Sequence, residues 1–115
     1  MIIGIGIDVV DIARFNKTLT NPRFKSKHFS PTEMGLSNES LAGRFAAREA
    51  FYKALNRQEL FDLKDIQIIN LSNGEPNFVF QGKLEDYGID KNFHLTISHC
   101  PEYAAALVII ESKSA

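Results

Sequence analysis

Residues 43–55 read GRFAAREAFYKAL, and the spacing of their small side chains limits what the chain can become. At about 100° per residue, a helix through this stretch gathers Gly43, Ala47, Ala50, Phe51 and Ala54 on one arc. An arc of glycine and alanine admits a close neighbour, so this helix is expected to pack tightly on a sheet. The remaining sides are not apolar. Glu49 and Lys53 stand four residues apart with Phe45 one turn earlier, and Arg44, Arg48 and Tyr52 form a neighbouring stripe.

The rest of the chain supplies the sheet. MIIGIGIDVV is rich in β-branched residues and reads as a strand, with Gly4 and Gly6 where a backbone or ligand could approach and Asp8 at its end. VDIARFNKTL follows as a helix with Ile12, Phe15 and Leu19 on one face and Arg14 and Lys17 off it, ending before Asn21-Pro22. SPTE combines an N-cap serine, a first-turn proline and a glutamate at the third position, which marks a short turn from Pro31 that Gly35 stops. Capping candidates from Ser37 to Ser40 then open the long helix, expected to run to about Asn56.

LKDIQIINLSNGEPNFVF reads as two strands around a turn at residues 72–76, and GKLEDYG as a short helix. NFHLTISHC alternates Phe93, Leu95 and Ile97 against His94, Thr96 and Ser98, so it is a half-buried strand ending in Ser98-His99. After Pro101, YAAALVIIE reads as a strand buried on both faces. The order predicts an α+β fold, a small antiparallel sheet packed on a long helix, as one domain over residues 1–115.

Composition bounds the function. With 44% hydrophobic and 23% charged residues the chain is of the soluble globular kind, and a net charge of −1 argues against a general nucleic-acid binder. The single cysteine, Cys100, cannot form an internal disulfide and fits a reducing cytoplasm. No basic leader precedes the first apolar residues, and AAALVII falls well short of the roughly 18 residues of a membrane span. Charge is uneven, however. Residues 12–32 contain no acid but hold Arg14, Lys17, Arg23, Lys25, Lys27 and His28 among Phe15, Phe24 and Phe29. Such a stretch suits an acidic protein partner or a phosphate-bearing ligand, and equally a solvated face.

The chemistry rests on combinations. Spacing alone makes Glu49 and Lys53 an ordinary surface pair. With Asp8 at a strand end, Glu49 could supply the second of two hard oxygen ligands for Mg²⁺, which usually takes one or two carboxylates and completes its shell with water and phosphate oxygens. GIGID lacks the spacing of a dinucleotide fingerprint and the lysine of a P-loop, so glycines for packing are its simpler reading. His99 suits a general base, a phosphate ligand or a structural role, and no nucleophile signature surrounds Cys100.

Taken in order, GIGIDVVDIARF, LAGRFAAREAFYKAL, NGEPNF and LTISHCPEYAAALVI resemble the holo-acyl-carrier-protein synthases, the short 4′-phosphopantetheinyl transferases, nearly from end to end. The resemblance implies transfer of the phosphopantetheine arm of coenzyme A to a serine of apo-acyl carrier protein, with Mg²⁺, in support of fatty acid biosynthesis. It implies that Asp8 and Glu49 hold Mg²⁺ and that Lys53 contacts phosphate. Arg44, Phe45, Ser98, His99 and the turn of Gly74, Glu75 and Pro76 would form the coenzyme pocket, with Arg44 or His99 on the 3′-phosphate. On the same resemblance the proton acceptor would be Glu49, directly or through a metal-bound water, or else His99.

The same resemblance assigns Arg14, Lys17, Arg23 and Lys25 to the acidic carrier protein and implies a homotrimer with sites between subunits. Two departures stand out: Arg48 where many relatives have lysine, and NRQEL where relatives often carry a Gly-Thr-Gly-like turn, leaving Arg57 as a substitute phosphate contact. Two other functions remain open, a non-catalytic carrier-protein-binding module and a Mg²⁺-dependent nucleotide pyrophosphohydrolase.

Overall fold

A computed structural model describes residues 1–55, 62 and 65–113. In chain order they form β1 (Ile2–Asp11), α1 (Ile12–Leu19), α2 (Pro22–His28), a 3-10 turn (Pro31–Glu33) and α3 (Asn38–Ala54). The hairpin β2 (Ile66–Asn70) and β3 (Pro76–Phe80) follows, then α4 (Lys83–Tyr87), β4 (Lys91–His99) and β5 (Tyr103–Ser112). The long helix ends at Ala54, and the expected extension to Asn56 lies outside the described residues. The expected α+β architecture is present, with its strands divided between two antiparallel sheets. One is three-stranded in the order β1-β5-β4, and the other is the β2-β3 hairpin.

The start of α3 falls where the sequence puts it, whereas α1 begins at Ile12 and α2 is a helix that the sequence reading did not include. The Ser37 side chain accepts from Ser40 N and opens α3, Asp11 accepts from Arg14 N at 3.0 Å and opens α1, and Asn21 caps α2. In the 3-10 turn, Ser30 N donates to Glu33 Oε1 at 3.0 Å, the glutamate half of a capping box, while Glu33 N donates to the Ser30 carbonyl at 2.9 Å.

The small-residue arc of α3 meets β1 backbone to backbone. A Cβ added to Gly6 would sit 1.8 Å from Ala50 O, and one added to Gly4 would sit 2.0 Å from Ala54 O. The two glycines therefore serve helix–sheet contact. Ala46, Ala47, Ala50 and Phe51 are fully buried there. Phe51 also ties in the hairpin, with ring centroids 5.2 Å from Phe78 and 5.3 Å from Phe80.

Two expectations change. Asp8 lies within β1 rather than at its end, because β1 stays paired with β5 as far as Asp11↔Tyr103. Strand β5 is buried on one face only: Ala104, Ala106, Val108 and Ile110 are buried, whereas Ala105, Leu107 and Ile109 are half-buried. The cause is that, among the described residues, the sheet has a single covering layer, since α3 packs on one side of it. The other side leaves Ile5 and Ile7 each 59% exposed and Val9 60% exposed. Among the described residues no helix is long and apolar enough to cross a membrane.

Candidate active site

Arg44 and Phe45 are consecutive on α3 and so point about 100° apart, and each borders a different cleft. The larger, about 520 Å³, is lined by Asp8, Asp11, Arg14, Phe24, Phe45 and Glu49. The smaller, about 210 Å³, is lined by Glu39, Arg44, Ile68, Gly74, Pro76 and His99. The expected site residues are thereby sorted into two groups on the flanks of one helix.

In the larger cleft Asp8 shares the helix-facing side of β1 with Gly4, Gly6 and Val10, which are buried at two-residue spacing. Lys53 Nζ donates to Asp8 Oδ1 at 3.0 Å and to the Ile7 carbonyl at 3.0 Å. The lysine thus reaches across to the strand, and the surface pair that its spacing with Glu49 permits is replaced by a bridge to Asp8. Burial, and then the negative charge of Asp8, push the Glu49 carboxyl above its usual 4.5, with Lys53 opposing them.

Two carboxylates that repel each other in one cleft fit a hard divalent cation, whose charge would relieve that repulsion. The donor set suits Mg²⁺, which binds through one or two carboxylates and takes its other oxygens from water and phosphate. Among the described residues no group of three or more potential metal-ligating side chains gathers.

In the smaller cleft Arg44 Nη1 donates to Glu33 Oε2 at 3.2 Å and to the Ile68 carbonyl. Glu33 takes a second arginine as well: Arg48 Nη2 donates to its Oε1 at 2.8 Å. Arg48 is only 3% exposed, donates through Nε to the Ile66 carbonyl at 2.9 Å, and has its guanidinium carbon 5.6 Å from the centre of the Phe29 ring. Its place is the protein interior rather than the charged outer stripe suggested by spacing. Burial alone would raise the Glu33 pKa, but the Arg48 charge and hydrogen bonds from Ser30, Arg48 and Arg44 hold it below 4.5.

Sequence reasoning missed Glu33 as anything beyond a cap. The only signal was that a capping-box glutamate has a second oxygen to offer, and nothing local showed which cations would reach it.

The remaining residues fall as follows. His99 and the Gly74-Pro76 turn border the Arg44 cleft, and Gly74 takes φ 90°, which glycine adopts without strain. Ser98 is exposed and lies one residue off the Ile97 and His99 alternation, on the other face of β4. Phe45 packs on Phe15 and Phe24 with centroids at 5.4 and 5.7 Å, in the Asp8 cleft rather than beside Arg44. Arg14 borders that same cleft, Lys17 and Arg23 are exposed, and Lys25 is half-buried. Arg57 and the Asn56-Arg57-Gln58 turn lie outside the described residues.

Comparison with known proteins gives this arrangement its context. Residues 4–108 match the model of the 4′-phosphopantetheinyl transferase superfamily. A holo-[acyl-carrier-protein] synthase of Leifsonia xyli subsp. xyli is 38% identical over 99% of this chain and 100% of its own length. A structure of holo-(acyl-carrier-protein) synthase from Bacillus anthracis str. Ames in complex with CoA (3′,5′-ADP) is 35% identical. It superposes with a TM-score of 0.79 over 97% of this chain and 98% of that one. The Helicobacter pylori holo-[acyl-carrier-protein] synthase in complex with coenzyme A is 32% identical with a TM-score of 0.82, over 93% of this chain and 99% of that one. By sequence and by fold, the chain belongs to the 4′-phosphopantetheinyl transferase superfamily, among its holo-[acyl-carrier-protein] synthases.

Proposed function

We propose that this chain, acting as one domain over residues 1–115, transfers the 4′-phosphopantetheine arm of coenzyme A to a serine of apo-acyl carrier protein. Adenosine 3′,5′-bisphosphate leaves, and the holo-carrier protein serves fatty acid biosynthesis. The observation that carries this reading is the meeting of Asp8 and Glu49 in one cleft, with Lys53 bridged to Asp8, in a chain that matches such synthases over nearly its whole length.

A serine hydroxyl attacking a diphosphate phosphorus needs alignment, charge neutralisation and a proton acceptor. Asp8 and Glu49 are the residues that would hold Mg²⁺, which when bound supplies Lewis acidity and charge neutralisation at the pyrophosphate. Lys53, anchored on Asp8 and the Ile7 carbonyl, presents a cation to the departing bisphosphate. Glu49 is the favoured proton acceptor, because a carboxylate with a raised pKa holds a proton better than an ordinary one. His99 is the second choice, since it borders the other cleft. Arg44 and His99 suit the 3′-phosphate of the coenzyme, with Gly74 and Pro76 at its edge.

The carrier protein docks against Arg14, with Lys17, Arg23 and Lys25 adding positive charge that steers an acidic partner. Homotrimer assembly is supported by the open apolar face of Ile5, Ile7 and Val9, since patches of this kind mark interfaces. Separation of the Arg44 cleft from the Asp8 cleft supports sites shared between subunits. An exposed, unpaired Cys100 suits the cytoplasm.

Incubation with coenzyme A, Mg²⁺ and an apo-carrier protein is expected to add about 340 Da to the carrier, the mass of the transferred arm. No mass gain with any of several carrier proteins leaves the binding-module reading. Bisphosphate released without an acceptor points instead to a pyrophosphohydrolase.

A further inference from the structure

We infer that Glu33 is a positioning residue for coenzyme selectivity: it fixes the Arg44 guanidinium in the smaller cleft, so that a coenzyme carrying a 3′-phosphate is distinguished from one lacking it. The inference rests on the function proposed above.

The carboxylate is itself immobilised before Arg44 is considered. Glu33 Oε1 accepts from Ser30 N at 3.0 Å, Ser30 Oγ at 3.3 Å and Arg48 Nη2 at 2.8 Å. Arg48 in turn is tied to the β2 backbone through the Ile66 carbonyl. Only Oε2 is turned to Arg44, and it shares the Nη1 nitrogen with the Ile68 carbonyl. One end of the fork is therefore fixed from two directions. A guanidinium has five N–H donors, and among the described residues the Nε and Nη2 donors of Arg44 remain for a ligand.

Arg44 borders the same cleft as His99 and Pro76, where a dianionic group would find paired donors. An arginine without this anchoring would lose rotamer freedom at each binding event. Ordering it beforehand strengthens binding equally in the ground and transition states, so the effect belongs in KM rather than kcat. A side chain that only neutralised buried Arg48 would leave selectivity for the 3′-phosphate untouched.

The test compares coenzyme A with 3′-dephospho-coenzyme A as donor substrates, using carrier-protein modification as the readout. Glu33→Gln is expected to raise KM for coenzyme A about tenfold while kcat stays within about twofold and KM for the dephospho form is unchanged. Glu33→Asp keeps a negative charge beside Arg48 and should fold where the glutamine variant fails, with the same direction of effect. Arg44→Lys should lower selectivity comparably, and either Glu33 change should add nothing to selectivity in that background. Selectivity within about twofold of the parent in Glu33→Asp and Arg44→Lys, or an undiminished Glu33 effect in Arg44→Lys, overturns the inference. A parent protein that modifies no carrier protein would sink the transferase reading instead.

Discussion

Lys53 Nζ sits 3.0 Å from Asp8 Oδ1, joining the C-terminal end of α3 to the middle of β1, although Glu49 stands one helical turn before it. The bridge gives the lysine two anchors, Asp8 and the Ile7 carbonyl, and leaves Glu49 exposed to the repulsion of Asp8. A cation so held costs little reorganisation when negative charge develops on a departing phosphate. Lys53→Met should therefore slow the chemical step by roughly a hundredfold or more, the usual loss when one such group is removed. Single-turnover transfer measures it, and an unchanged rate would remove Lys53 from the phosphate site.

Glu49 should trade stability for activity. Burial and the Asp8 charge raise its pKa above 4.5, so the folded protein holds this proton more tightly than the unfolded chain does. Its contribution to stability is full below that value and is lost as pH rises through the folded pKa. Glu49→Gln should accordingly raise the melting temperature at neutral pH, by a small amount because solvent screens a half-buried carboxylate, while transfer falls at least about a hundredfold. Thermal melts at pH 4.5 and 7.5 check the sign, since the advantage of the glutamine should shrink at the lower pH. Asp8→Ala should likewise abolish transfer while leaving the fold intact.

Glu33 has the opposite sign. Its pKa is held below 4.5, so its contribution is present above that value and disappears as pH falls through the folded pKa. Removing one member of a buried pair leaves Arg48 uncompensated, and Glu33→Gln should cost about 3–5 kcal/mol at neutral pH. Below pH 4 the difference from the parent should narrow. Urea midpoints across pH 3–7 test this, and a gap that is constant with pH would show that charge pairing is not its source.

The contrast between these residues shows what the sequence made legible. Helices α1, α3 and α4, the hairpin and the small-residue face of α3 follow from local signals, namely period, caps and turn residues, so they were readable, whereas α2 was not read. Asp8 and Glu49 were paired as candidate metal ligands from the chemistry of two carboxylates, one on a strand and one in mid-helix, and the resemblance in motif and order strengthened that reading. Glu33 and Arg48 meet across 15 residues through a turn and a helix, and no short-range pattern encodes that encounter. A buried arginine and a surface arginine share the same helical spacing; what marks Arg48 as buried is the set of distant partners that meet it, Glu33, the Ile66 carbonyl and the Phe29 ring. Similarly, the run YAAALVIIE could not reveal that its second face lacks a covering layer among the described residues.

Gly6 and Gly35 provide a matched test of the helix–sheet contact. A Cβ on Gly6 would lie 1.8 Å from the Ala50 carbonyl oxygen, a backbone atom that cannot rotate away. Gly6→Ala should therefore force α3 off β1 and cost more than about 4 kcal/mol. A Cβ on Gly35 meets nothing within 4 Å, so Gly35→Ala should stay within about 0.5 kcal/mol of the parent. Denaturant midpoints for the two variants decide it, and a tolerated alanine at position 6 would refute the close approach.

The open face of the three-stranded sheet should decide assembly and activity together. Ile5 and Ile7 are each 59% exposed, beside half-buried Leu107 and Ile109, so polar substitution there removes no core packing within one chain. If copies of the chain join through this face, Ile5→Lys combined with Ile7→Lys places like charges in the contact, and like-charge juxtaposition suppresses association. The double variant should remain folded by circular dichroism and sediment as a single chain, whereas the parent sediments as three. Transfer should fall at least about tenfold even though Asp8, Glu49 and Lys53 are untouched, because a site that draws Arg44 and His99 from a neighbour loses coenzyme affinity when the neighbour leaves. A monomeric variant with parental KM for coenzyme A would show instead that each chain carries a complete site, with both clefts serving the same substrate molecule.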